Sequence, residues 1–505
     1  MTNERVKKRK KKTNYANNFA VIILVALMVN LAFFWLPDSI FGIPVKKVDL
    51  LSDIRLSIND DDDMLLAVKT KDEIVDMTPG ADTSGIEQQP LVTHNIQSQQ
   101  TDTLKDSLSS DRISDNSLSR LSDLDWNNTD YLSEKNIEDF TSEHTGLHRF
   151  FAALNNINTL GRPVRIAFVG DSFIEGDIIV ADFRAKMQEQ FGGRGVGFLP
   201  ITSVVEQYRP TIKHSSKGWN TYSIIKNRNK KFIISGLQFE PASDNATVNF
   251  ETVDMFPSLE EVSSLKLIYS NNKNTDLLLK CGEESALYEL PPTENITQYE
   301  IKGNFTKGVL QFKNTDGFNT LGLAIEDNKG VVVDNFSLRG NSGIIMSELD
   351  SESCRNFQHI RPYDLIILQY GLNVASDSVR DYSWYRNRMI PVVEHIQYCF
   401  PGVDILILGV SDRSYKKGSE YITMPAVLSL LHSQRQIAIE TEVAFWSIFA
   451  GMGGHNSMVK YVNSSWASKD YTHLSFRGGR EVANALFDAI ITEKNMYDND
   501  EKFIE

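Results

Sequence analysis

Four short pieces of this sequence carry residue types that together suit nucleophilic chemistry on a carbonyl. The first is "FVGDSFIEGD", residues 168–177, which places Ser172 just past an apolar run. A serine hydroxyl is a weak nucleophile: it needs a base within hydrogen-bond reach, a group that orients the base, and donors for the developing oxyanion. The same position also suits a polar cap on a following helix, so distant partners must decide its role. Near the other end, "SKDYTHLSFRGG" holds Asp470 and His473 three residues apart. That spacing lets a carboxylate steady the imidazole that takes the serine proton. Of the nine histidines, His473 alone has this setting. Asn373, in "YGLNV", offers a side-chain amide to an oxyanion, although Gly-x-Asn also favours ordinary turns. In "NFSLRGNSGII", Gly340 and Gly343 compete as the glycine whose bare N–H approaches the same oxyanion, and Gly343 is preferred. Glu175 and Asp177 have two readings: they line the site, or they sit in the first helical turn, where carboxylates favour the dipole.

These residues need a scaffold that brings them to one place. "PVRIAFVG" reads as a buried strand ending just before Ser172, and "DIIVADFRAKMQEQFGG" reads as a helix with apolar residues at i+4 and a terminal glycine. "YDLIILQYG" and "VDILILGVSD" are continuous apolar runs, as in strands of a covered parallel sheet. Helical patterns, among them "AVLSLLHSQRQIAIE" and "EVANALFDAI", lie between and after them. From about 200 to 334 the texture becomes short alternating runs separated by Asn, Gly, Asp and Ser, which predicts an antiparallel β-sandwich or jelly roll. The expected organisation is an α/β domain in two parts, 145–200 and 336–497, with a β-domain inserted at 201–335 and a short tail at 498–505.

The first 144 residues read differently. Residues 1–12 hold seven Lys or Arg, and residues 19–36 form an 18-residue run without a charge. As a helix that run spans about 27 Å, roughly a hydrocarbon core. A basic tail at 1–18 and a transmembrane signal anchor at 19–36 are expected, with the N-terminus in the cytoplasm and the rest outside. A cleaved signal peptide is the alternative, but no small-x-small site follows the run. Residues 42–125 contain no Phe, Tyr or Trp and are rich in Asp, Ser and Thr, so 37–144 is expected to be a disordered acidic linker. The chain carries a net charge of −14, which disfavours nucleic acid as a partner. Cys281, Cys354 and Cys399 form no disulfide framework and no zinc pattern.

The blocks around Ser172, Gly343, Asn373 and Asp470-x-x-His473 occur in the order of the SGNH (GDSL-type) hydrolase superfamily, which the sequence resembles. Gly170-Asp171-Ser172 matches the first block, with Phe173 where Leu is usual; Gly371-Leu372-Asn373 matches another, with Val374 replacing its final Asp; "LRGNSG" is one residue longer than usual. The likeness is nearest to membrane-anchored or exported SGNH proteins of Bacteroidetes type and to bacterial peptidoglycan O-acetylesterases with a β-sandwich insert. It implies a three-layer α/β/α, flavodoxin-like domain. It further implies Ser172 as nucleophile, His473 as base then acid, and Asp470 as the group orienting it. The Ser172 and Gly343 N–H groups and the Asn373 amide would form the oxyanion hole. Neither cofactor nor metal is implied. The expected function is removal of O-acetyl groups from an extracytoplasmic glycan such as peptidoglycan by an enzyme of the inner membrane. Acyl transfer with a membrane-bound acyltransferase partner is the alternative, and glycan binding without catalysis a third.

Overall fold

The computed structural model describes residues 130–504 and, besides these, two strands of two residues, Ser39–Ile40 and Ile43–Pro44, which pair antiparallel. The expected tail at 1–18, the anchor at 19–36 and most of the linker lie outside the described residues. Among the described residues, no helix is long and apolar enough to cross a membrane.

The apolar runs become strands buried on both faces. The main sheet contains β1 (Glu138–Asp139), β2 (Val164–Gly170), β3 (Val331–Ser337), β4 (Leu365–Gln369), β5 (Asp404–Gly409) and β6 (Ala444–Ser447). Its order is β3-β2-β4-β5-β6-β1, parallel except for the β6–β1 pair. Helices cover both faces, as a parallel sheet requires. On one side α1 (His148–Asn155), α2 (Val180–Phe191) and the terminal α8 (Phe476–Ile504) pack together; on the other lie α3 (Ser351–Ile360), α4 (Ser383–Cys399) and α5 (Pro425–Glu440). Two short helices, α6 (Ile448–Gly451) and α7 (Ser457–Asn463), follow β6. Cys354 on α3 and Cys399 on α4 are both buried and reduced, Cys354 against the Phe232 carbonyl and Cys399 against His395, while Cys281 lies in the insert.

Several boundaries differ from expectation. The packed chain includes residues 130–144, expected as linker: Ile137 is buried, β1 pairs with β6, and Trp446 Nε1 donates to the Lys135 carbonyl at 2.9 Å. Two residues of strand and one aromatic partner 311 positions away leave no local periodicity to read. "GVVVDNF", grouped with the insert, is β3, an edge strand in register with β2. A short apolar run looks the same in a sandwich and in a parallel sheet. The terminal helix α8 continues through the expected tail to Ile504.

The inserted segment folds as two antiparallel sheets around their own core, with Phe250, Leu267, Leu310 and Phe312 among its buried residues. Gly195–Leu199 belongs to the six-stranded sheet through its pairing with Phe318–Glu326, so the insert starts earlier than 201. A buried charge cluster ties this domain to the main sheet. Glu326 of the insert accepts from Arg165 on β2 (2.9 Å), Lys266 (2.6 Å) and Arg361 (2.5 Å). Arg361 also donates to Asp334 on β3 at 2.7 Å. Burial raises the cost of the Glu326 charge, but the three cations outweigh it and hold the carboxyl well below the usual range.

Asp404 at the start of β5 caps α1 from across the sheet, accepting the Phe150 N–H at 2.9 Å. Burial pushes its carboxyl up to about 7, against the Phe150 N–H and the Arg149 charge. A raised folded value means that this stabilisation is complete below the ordinary carboxylate range and is lost as pH rises through about 7. Asp404→Asn keeps an acceptor and cannot ionise. Its melting temperature relative to the parent should therefore climb between pH 5 and pH 8, read by thermal unfolding at each pH. A pH-independent difference would contradict the assignment.

Candidate active site

β2, β3 and β4 end on one edge of the sheet. Gly170 lies in register with Ser337 on one side and Gln369 on the other, so the turns leaving the three strands begin side by side. Ligands of open α/β sheets bind at this edge. Gly170 is required by close approach: a Cβ there would come within 2.7 Å of the Gln369 carbonyl oxygen.

Ser172 is half-buried in the turn after β2. Asp171 holds that turn. Its Oδ1 accepts the Phe173 N–H at 2.9 Å, spanning Ser172, and its Oδ2 accepts from Asn373 Nδ2 at 2.8 Å. Burial pushes the Asp171 carboxyl up to about 7, opposed by the Phe173 N–H, the charge of nearby His473, and the Gln369 and Asn373 side chains. Asn373 stands in a 3-10 turn, Leu372–Val374, and also donates to the Asn341 carbonyl at 3.1 Å. Both N–H bonds of its amide are thus engaged in this state.

The histidine arrives from the far end of the chain. His473 Nδ1 pairs with Asp470 Oδ2 at 2.7 Å, and Asp470 Oδ1 accepts the N–H groups of Thr472 (2.9 Å) and His473 (3.1 Å). Burial disfavours the Asp470 charge, but these hydrogen bonds prevail and hold the carboxyl below its ordinary value. The loop is pinned from two sides. Ser414 N–H donates to the Tyr471 carbonyl at 3.1 Å, and the Tyr471 ring stacks on Tyr421 at 3.7 Å. Tyr421 belongs to the hairpin of Ser414–Lys417 and Glu420–Thr423. On the other side, Gly479 of α8 lies directly against the Ile178 carbonyl, where a Cβ would collide. Arg480 Nε donates to Asp182 on α2 at 2.9 Å. The helix after His473 is therefore seated on the helix after Ser172. The Asp470 and His473 side chains remain about half exposed (48% and 52%), so the site is open rather than sealed.

The two glycines differ in their surroundings. Gly343 N–H donates to Asn341 Oδ1 at 2.8 Å, and its Cα faces Tyr370 and Met389 in the interior, so its donor is already used. Gly340 is exposed, with open space around its Cα. Gly343, expected as an oxyanion donor, thus has its N–H held by the Asn341 side chain in this conformation.

Glu175 accepts from Arg339 Nε (3.0 Å) and Nη2 (2.6 Å), joining the Ser172 turn to the loop after β3. Asp177 neither lines the site nor sits in the first turn of α2. It is fully buried, in the left-handed region (φ 69°), and accepts from Arg184 (2.9 Å), Arg209 (2.9 Å), Thr211 (2.6 Å) and Asn335 (2.7 Å). Despite burial, the Arg184 and Arg209 charges hold its carboxyl far below the ordinary range. The roles of Asp171, Asn341 and Tyr421 escaped sequence reasoning. Asp171 alone had a signal there, its place beside Ser172. Among the described residues, no group of three or more His, Cys, Asp or Glu is placed to hold a metal ion.

No protein-family model matches the chain, and no curated protein matches it. Among solved structures, one described as "Peptidoglycan O-acetylesterase in action, 5 min" matches with a TM-score of 0.59 at 20% identity, over 71% of this chain and 99% of that one. A family two carbohydrate esterase from Cellvibrio japonicus (TM-score 0.24, 12% identity, 56% of this chain and 98% of that one) also aligns. So does a GDSL-like lipase from Parabacteroides merdae (TM-score 0.24, 16% identity, 32% of this chain and 72% of that one). The first likeness shows a shared fold over the length of that chain; the other two are too low to carry an argument. What the comparison establishes is a fold shared with that O-acetylesterase structure.

Proposed function

We propose that the chain is an extracytoplasmic serine esterase that removes O-acetyl groups from a glycan such as peptidoglycan. One observation carries this reading: a serine turn, an Asp-held histidine and a strand-end amide gather at the carboxyl edge of one parallel sheet. In the proposed cycle Ser172 Oγ attacks the acetyl carbonyl while His473 Nε2 takes its proton. Asp470 holds the opposite ring nitrogen and balances the imidazolium. The oxyanion is met by the Ser172 N–H, the N–H of Gly343 released from Asn341 or that of Gly340, and one Asn373 N–H likewise released. Collapse returns the proton from His473 to the departing sugar hydroxyl. Water, activated by the same histidine, then frees acetate from Ser172. Half-exposed catalytic side chains suit a bulky polymer. Residues 19–36 would anchor the enzyme in the inner membrane, with the long linker spacing it from the surface.

The experiment is acetate release from O-acetylated peptidoglycan by the full-length protein. Free acetate, rising linearly with enzyme, is the expected result. Acetate passed to an added glycan hydroxyl without release would instead favour the transferase. No turnover of any acetyl ester, together with no labelling of Ser172 by a fluorophosphonate, would overturn both.

A further inference from the structure

The loop at 203–209, which follows the insert's first strand, is bound to the turn that carries Ser172. Arg209 Nε and Thr211 Oγ1 both donate to Asp177 Oδ2, at 2.9 and 2.6 Å. The Val205 side chain lies against Gly176, 3.9 Å from where a Cβ would stand. The loop is internally ordered: Val205 N–H donates to Ser203 Oγ, Glu206 N–H to the Ser203 carbonyl, and the Tyr208 and Arg209 N–H groups to the Val205 carbonyl. Yet this tied loop holds Val204 and Tyr208 out in solvent, 81% and 76% exposed, the highest values among the exposed large apolar residues of the described part. An ordered loop gains nothing in stability by presenting an aromatic ring and a branched aliphatic group to water.

We propose that Val204 and Tyr208, on the loop bound to the Ser172–Asp177 turn, form a sugar subsite that takes one pyranose ring of the glycan strand that bears the ester. This chemical class rests on the esterase reading. The C–H face of a pyranose is apolar and flat, and it matches a rigid phenol ring, while the phenolic O–H remains free for a sugar hydroxyl. The subsite differs from the acyl-transfer machinery: it contacts the chain next to the reacting sugar and leaves the acetyl group alone. Asp177 couples the two, because the same carboxylate fixes the Ser172–Asp177 turn and the loop.

The test uses the full-length protein as wild type, Tyr208→Ala and Tyr208→Phe. Substrates are p-nitrophenyl acetate, which has no sugar, and soluble O-acetylated peptidoglycan fragments; chitotetraose serves as an ester-free ligand in calorimetry. Tyr208→Ala should raise KM for the fragments and Kd for chitotetraose about tenfold. Its kcat on the fragments and its rate on p-nitrophenyl acetate should stay within twofold, and Tyr208→Phe should restore both affinities. Unchanged affinities in Tyr208→Ala, or no binding of chitotetraose by the wild type, would overturn the subsite. An equal loss on both esters would mean a structural role for Tyr208 and would also overturn it. Tyr208-dependent chitotetraose binding by a protein that cleaves neither ester would uphold the subsite while removing the esterase reading.

Discussion

Alanine in place of Ser172 is expected to lower kcat for acetyl-ester hydrolysis by about 10⁴-fold or more, leaving the fold intact. On the proposed mechanism the size follows from the loss of the atom that would bond to the acyl group; what would persist is the modest acceleration from oxyanion donors and binding. The fold should survive because the turn depends on backbone and Asp171 contacts that alanine keeps. The Ser172 carbonyl accepts the Glu175 N–H at 3.3 Å, and Asp171 Oδ1 spans the position to the Phe173 N–H. His473→Ala should lose a similar amount, and the double variant little more than either single one, since the two side chains act as a unit. Rates on p-nitrophenyl acetate and on acetylated glycan, with melting temperatures alongside, provide the check. A Ser172→Ala enzyme retaining a tenth of the parent rate would exclude Ser172 as nucleophile.

The second large effect is on stability. Asp177→Ala should cost about 3–5 kcal/mol, because it leaves the Arg184 and Arg209 guanidiniums buried without their anion. Asp177→Asn retains an acceptor for Thr211 but not the charge, and should fall between the alanine variant and the parent. The sign with pH is fixed by the direction of the shift. A carboxyl held far below its ordinary value contributes stability above the ordinary carboxylate range and loses it only as pH falls toward the folded value. The deficit of the alanine variant should therefore be full at pH 7 and shrink only in strong acid. Urea unfolding midpoints at pH 7 and pH 3 read this directly. Equal midpoints for parent and variant at pH 7 would show that the cluster is not holding the turn. Activity should drop along with stability, since the carboxylate ties the Ser172 turn to β3 through Asn335 and to the insert through Arg209.

Some of this was legible in one dimension. The runs that became β2, β4 and β5 are dominated by apolar residues, with Arg165, Gln369 and Asp404 the exceptions, because both faces of a parallel sheet are covered, and a run of that kind is visible without neighbours. The alternating texture of the insert likewise follows from a sandwich with one wet face per sheet. Asp470 and His473 could be paired on sight because three residues of loop bring the two side chains together, and the 2.7 Å contact is a local event. β3 could not be placed, since membership of a sheet depends on a partner strand 167 positions away, Val331 beside Val164.

The sequence by itself determined which chemical groups are present, the order in which they occur, and the strand ends that carry them, because residue type and hydrophobic period are local properties. Only the tertiary structure decided what each polar atom is doing. Gly343 and Gly340 are equally bare in sequence, yet one N–H is bound to Asn341 and the other glycine lies in the open. Glu175 and Asp177 look alike, yet one reaches Arg339 near the surface while the other is sunk among Arg184, Arg209 and Asn335. A hydrogen bond is made where donor and acceptor come within about 3 Å, and for these atoms the partner is supplied by turns and strands that only the folded chain brings near.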